Sequence, residues 1–375
     1  MRRVVVVAGP ELWQTGHGPD HPLKPARLLR TYELMDELGL LSAPNVSRVT
    51  PRLASDEELR LFHTAEYVAA VRRLSEAVGR GEPASAGDAR RHNFGPGDNP
   101  VFAGMYELHA VAVGASLQAA ALLEAGECDT AFSFGGGLHH AAPDHASGFC
   151  VFNDPAVAIT WLRRRGRRVA YIDVDVHHGD GVQYAFDDDP QVLTISLHQD
   201  GRSLFPGTGF VYETGSGPGE GASFNVPFPA GTDDETYLWA FDQVVPPAVD
   251  RFAPDIVVTQ LGVDTHASDP LAGLMLTTHG HEAVFRRLAA LAPRWLALGG
   301  GGYNIEVVPR AWTMALAVMA EIDLPEDLPA RYRERYGGRR LHDESVPRLN
   351  PDLRREVRRI VEHTVEDVKQ RHHLA

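Results

Sequence analysis

Six short apolar, β-branched runs punctuate the chain, at 4–8, 131–134, 169–174, 192–197, 256–261 and 295–298. Helical patterns separate them, as at 101–125 and 281–292. Runs this short and this continuously apolar read as strands buried on both faces. Their alternation with helices predicts an α/β fold, a mostly parallel central sheet with helical layers on both sides. Such sheets bind ligands beyond the carboxyl ends of their strands. The residues just after each run are therefore the place to look for chemistry.

The 375 residues carry 36 Lys+Arg against 50 Asp+Glu, a net charge of -14. That balance argues against a sequence-independent nucleic-acid binder, which needs a basic face, and it suits a cationic or protein substrate. The opening MRRVVVVAGP is too short in its apolar run for a signal peptide and reads as a first strand. No stretch approaches 18 uninterrupted apolar residues, so no membrane span is expected. Two cysteines, Cys128 and Cys150, suit a reducing compartment, and the cytoplasm is the expected location. The Gly- and Pro-rich segments 79–100 and 199–222 read as surface loops. The tail 351–375 spaces Leu353, Val357, Ile360, Val361, Val365 and Val368 as an amphipathic helix.

Four strand ends carry glycine together with polar or titratable groups. The run 131–134 is followed by GGGLHH, with His139 and His140. The run at 169 leads into DVDVHHGDG, with Asp173, Asp175, His177, His178 and Asp180. The run at 256 leads into GVDTHASD, with Asp264, His266 and Asp269, and the run at 295 into GGGGYN, with Tyr303. In extended chain Asp173, Asp175 and His177 share one face. Asp175 and His177 can reach one divalent cation, with Asp264 as the third ligand, a donor set suited to catalytic zinc or ferrous ion. Asp173 and Asp180 supply carboxylates for the two loop imidazoles, which suits general-base and electrostatic roles. The phenol of Tyr303 is placed to donate to a developing oxyanion. Cys150, among apolar residues, reads as structural. So do the histidines away from these loops, with His372 and His373 as a solvated helix end.

Taken in order, HPLKPAR (21–27), GGGLHHAAPDHASGFCVFND (135–154), YIDVDVHHGDGVQ (171–183), ISLH (195–198), FPGTG (205–209), GVDTHASDPL (262–271) and LGGGGYN (298–304) resemble the zinc-dependent histone deacetylase family, within the arginase/deacetylase superfamily. The resemblance is nearest to its bacterial acetoin-utilisation branch, and it spans about 20 to 310. It implies a single three-layer domain, 1–375, with about eight strands and a C-terminal helical tail from about 340. It implies Asp175, His177 and Asp264 as zinc ligands, and His140, paired to Asp180, as general base and then acid. His139, paired to Asp173, becomes the electrostatic partner, and Tyr303 polarises the acyl carbonyl. Asp98, Gly148, Phe149, Phe205, Leu271 and Gly301 correspond to substrate-binding positions, and Arg27 to a buried arginine beside an internal cavity. Asp173, Asp175, His177, Ser196 and Leu197 correspond to a structural potassium site. His145 stands where many relatives have Glu, and the loop at His266 and Ala267 varies. Neither departure removes a catalytic group.

The reaction so implied is hydrolysis of an N-acyl, foremost N-acetyl, lysine amide. Three rivals remain: deacetylation of acetylpolyamines, guanidine hydrolysis of the arginase type, and a non-catalytic reader. An arginase-like site needs a second metal and further Asp ligands, where this chain has Gly179 and His266. A reader has no need of the whole catalytic set.

Overall fold

The computed structural model describes residues 1–347 and 349–374, so the end of the expected tail, Ala375, lies outside the described residues together with Arg348. Eight strands form one all-parallel sheet: β1 (Val4–Val7), β2 (Val46–Val49), β3 (Thr130–Ser133), β4 (Val169–Asp173), β5 (Val192–Gln199), β6 (Ser223–Phe228), β7 (Ile256–Gln260) and β8 (Trp295–Leu298). Their order is β2-β1-β3-β8-β7-β4-β5-β6. The six runs read from the sequence are the six inner strands. β2 and β6 form the edges, and each lacks the all-apolar signature. Val46–Val49 is half solvated, and Ser223–Phe228 contains Pro227, which an edge strand tolerates because no partner on that side needs its N–H.

Helices cover both faces. The helix Met105–Glu124 is long and apolar enough to cross a membrane, yet 72% of its most apolar window is buried inside this fold, where it packs on β1, β3 and β8. The tail helix runs Pro351–Arg371 and buries Val357, Val361, Val365 and Val368, while Leu353 is about half exposed.

Two local expectations fail. The segment 79–100 is not plain loop: it holds the helix Ala86–Arg91, capped by Ser85, and buries His92, Phe94 and Asn99. His372 is not solvated. It is 4% exposed, its ring lies stacked 3.6 Å from that of Phe224 on β6, and its backbone carbonyl accepts from Arg251.

The four strands whose ends carried the polar motifs, β3, β8, β7 and β4, are neighbours in the middle of the sheet. Their register sets Ser133, Leu298, Gln260 and Asp173 in one row. The four loops therefore leave the sheet at one level and meet above it. The packing there is close. A Cβ on Gly299, the first residue beyond β8, would overlap the backbone carbonyl oxygen of Phe134, which has nowhere to move. Gly299→Ala should therefore destabilise the fold by about 1–3 kcal/mol, as overpacked core sites do. A urea-unfolding midpoint equal to that of the parent chain would contradict it.

Candidate active site

Asp175, His177 and Asp264 bring one ligand atom each within 4.8 Å of one another, and all three are buried. Among the described residues no other group of His, Cys, Asp or Glu converges in this way. Nδ1 of His177 lies 3.0 Å from Oδ1 of Asp175 and 3.2 Å from Oδ2 of Asp264. The second oxygen of Asp175 accepts from the Gln260 side chain at 2.6 Å and from the Gly301 N–H at 2.7 Å. Oδ1 of Asp264 accepts from the Val176 N–H at 2.8 Å. These outer bonds aim the carboxylates at the shared point. Glycine is required at 262 and 301, where a Cβ would strike Asp175 and Asp264.

The charge balance fits a divalent cation. Burial opposes protonation of His177, but Asp175 and Asp264 outweigh it and raise the imidazole to about 10. Burial, with Asp175 beside it, raises Asp264. Burial also works against Asp175, yet His139 and His177 hold that carboxyl well below its usual range. Two carboxylates thus draw a proton onto the imidazole between them, into the place a cation would take.

Asp173 does not join this group. It ends β4, and its Oδ2 lies 2.7 Å from Nδ1 of His139 and accepts from the Tyr171 hydroxyl at 2.7 Å. Nδ1 of His140 lies 2.6 Å from Oδ1 of Asp180. The two rings stand 4.0 Å apart by centroid, yet their protons are held very differently. For His139 burial is outweighed by Asp173 and Asp175, and the ring rises to about 9. For His140 burial and neighbouring His139 outweigh Asp180, and the ring falls to about 4. Burial, together with Asp264 and Asp175, pushes the Tyr303 phenol well up, so it keeps its proton.

His139, His140, Asp175 and Tyr303 line a narrow cavity with Leu23, Gly148, Phe149, Gly300 and Gly301, while His177, Asp264 and Phe205 lie outside this lining. The ring of Phe149 lies edge-on to Tyr303 at 5.7 Å, and that of Phe205 to His140 at 5.1 Å. Leu271 lies outside this lining and donates its N–H to Asp269. Asp98 sits on an exposed turn whose backbone oxygen bonds His21. Ser196 pairs with Asp173 across β4 and β5, with Leu197 next to it and buried. Arg27 is buried, donates to the carbonyls of Gly300 and Gly302, and borders a second cavity with Leu12, His17 and His109.

The sequence reading missed the residues that hold these loops. Asn153 caps the helix Asp154–Arg163 and donates to the carbonyls of His139 and Ala141. Asp154, fully buried, accepts from Ser116 and from the N–H groups of Gly137 and Leu138. The Asn-Asp-Pro helix start was the available signal. Gln260 was read only as the end of an apolar run.

The profile of the histone deacetylase domain matches residues 21–319. The chain belongs to the histone deacetylase family. It is 42% identical over 340 residues to the acetoin utilization protein AcuC of Bacillus subtilis, covering 88% of this chain and 86% of that one. It is 36% identical over 340 residues to histone deacetylase RPD3 of Saccharomyces cerevisiae, covering 90% of this chain and 76% of that one. The crystal structure of a histone deacetylase homologue complexed with SAHA superposes with a TM-score of 0.87 at 32% identity, covering 98% of this chain and 99% of that one. The homologue from Aquifex aeolicus gives 0.87 at 31% identity, covering 98% and 100%. Membership supports deacetylase activity, a hydrolase chemistry, at a metal site. Exchanging Gln260 for Met removes the side-chain donor to Asp175, and affinity for a divalent metal should fall about 10- to 100-fold, as for other outer-shell partners. Competition against a chromophoric chelator measures this, and an unchanged dissociation constant would place the orientation of Asp175 elsewhere.

Proposed function

We propose that the chain hydrolyses N-acetyl-lysine side chains of proteins, with zinc, or alternatively ferrous ion, held by Asp175, His177 and Asp264. One observation carries this reading. The converging donor set reaches, through Asp175, a narrow cavity whose lining also holds Phe149, the neutral imidazole of His140 and the protonated phenol of Tyr303. The bound cation would supply Lewis-acid polarisation of the acyl carbonyl and activation of water.

The side chains do the rest. With Nδ1 committed to Asp180, His140 keeps Nε2 free to take the proton from the attacking water and to return it to the leaving amine. His139 stays an imidazolium against Asp173 and stabilises the negative charge that builds up beside it. Tyr303 donates to the tetrahedral oxyanion. Phe149 and Phe205 flank the alkyl stem of the substrate, with Gly148 and Gly301 leaving it room, and Asp98 and Leu271 contact it at the mouth. We further assign a structural potassium ion to Asp173, Asp175, His177, Ser196 and Leu197. The two free cysteines, both buried, favour the cytoplasm.

The net charge of -14 suits a cationic acetylpolyamine as well as a lysine-rich loop. Turnover of an acetyl-lysine peptide and of acetylspermine, compared side by side, separates the two, and a preference for the polyamine would overturn the protein-substrate reading. Chelation should abolish turnover, and zinc or ferrous ion should restore it; activity that survives chelation would rule out a metal role. Tyr303→Phe should lower kcat roughly a hundredfold or more, the usual contribution of an oxyanion donor. Unchanged turnover in that variant would sink the role given to the phenol.

A further inference from the structure

One hydrogen-bonded network, buried at His266 and open to solvent at Ser268 and Glu306, takes part in no step of the proposed reaction. It begins in the segment beyond the matched domain, at Asp343, far in sequence from any strand end. Both oxygens of this carboxylate are engaged. Oδ1 accepts from Nη1 and Nη2 of Arg310, each at 3.0 Å. Oδ2 meets Nε2 of His266 at 2.8 Å and accepts from the Thr278 N–H at 2.9 Å. Its own N–H donates to the Thr278 hydroxyl at 2.8 Å. Such a carboxylate fixes what it touches, since moving any donor leaves a partly buried charge unsatisfied.

Both branches lead to the loop that carries Tyr303. His266, 6% exposed, lies in the loop between Asp264 and Asp269. The Ser268 N–H points at its Nδ1 from 3.1 Å, so Nδ1 accepts and Nε2 carries the proton given to Asp343. The Ser268 hydroxyl in turn accepts from the Asn304 side chain at 2.8 Å, one residue beyond Tyr303. On the other branch, Nε of Arg310 donates to the Glu306 carbonyl at 3.0 Å, on the same Tyr303 loop. Asp269 closes the circuit by accepting the Tyr303 N–H at 2.8 Å. The Gly299–Gly302 run before Tyr303 is held by Arg27 on the carbonyls of Gly300 and Gly302 and by Asp175 on the Gly301 N–H. The other side of Tyr303 needs a fixed support.

We propose that Asp343 is a positioning residue for Tyr303, acting through His266, Ser268 and Asn304 on one side and through Arg310 on the other. This rests on the oxyanion-donor role proposed for Tyr303. It makes the segment beyond the matched domain a working part of the site.

The test is a double-mutant cycle on the full-length zinc-loaded chain. Asp343→Asn and His266→Gln are each made alone and each combined with Tyr303→Phe. Turnover of an acetyl-lysine peptide, zinc content and urea midpoint are measured for all. His266→Gln keeps the question open to measurement if Asp343→Asn does not fold. Each single variant is expected to lose roughly ten- to hundredfold in kcat, the scale of an ångström-sized misplacement. KM should change less than about twofold and zinc content not at all. In the Tyr303→Phe background the same substitutions should cost nothing further, because the group they position is already gone. Losses that multiply in the double variants, or single variants with full kcat, would overturn the proposal while leaving the role of Tyr303 intact. Full activity in Tyr303→Phe alone would instead remove the reading on which the proposal stands.

Discussion

Four carboxylates, Asp154, Asp173, Asp175 and Asp264, lie out of water at and beyond the carboxyl ends of the central strands. An unpaired buried carboxylate costs several kcal/mol or shifts its pKa until it is neutral. Each of these is therefore matched to fixed donors. Asp154 has Ser116 and two backbone N–H groups; Asp173 has Tyr171, His139 and the Asp175 N–H. Asp175 has Gln260 and Gly301, and Asp264 has Val176. Apart from Ser116, on the helix Met105–Glu124, the donors come from β3, β4, β7 and β8 and their exits, so they meet only if those strands end level. The parallel register supplies that, and a slip by one residue would strand the charges. The chemistry of the site thus depends on a property of the sheet.

The same dependence explains how much could be read in the sequence. An inner parallel strand is apolar on both faces, so the six inner strands announced themselves in composition alone. β2 is half solvated and relieved of that demand, while β6 is buried throughout but interrupts its apolar residues with Ser223, Asn225 and Pro227, and both went unseen. The polar strand ends were legible for a related reason: Gly beside Asp or His at the close of an apolar run has few structural uses. Asp175, His177 and Asp264 could be grouped from their residue types and strand-end positions. The match of Asp173 to His139 and Asp180 to His140 came only with the family resemblance, because spacing along the chain does not say which carboxylate faces which ring.

What stayed hidden shares a different property. Asn153 and Asp154 act across 14 and 17 residues of sequence, and Gln260 and Asp343 across 85 and 77, through bonds to backbone or to another side chain. No local pattern encodes such a partner. His372 shows the same limit in reverse, since a charged, histidine-rich helix end looks solvated until β6 offers Phe224 for stacking. The helix Ala86–Arg91 lies in a segment whose Gly and Pro content dominated its reading, although Ser85 was a serviceable cap.

The two imidazoles, adjacent in sequence, show how placement divides labour. Their rings stand 4.0 Å apart by centroid in a site that excludes water, so two imidazolium ions side by side are strongly disfavoured. One of the pair must stay neutral. His139 has Asp173 at 2.7 Å and Asp175 at 4.0 Å from its two nitrogens, whereas His140 has only Asp180. The ring with two carboxylates keeps the charge, and the charge it keeps depresses its neighbour. His140, the proposed general base, is therefore neutral because the residue before it is not, and this arises from where β4 ends.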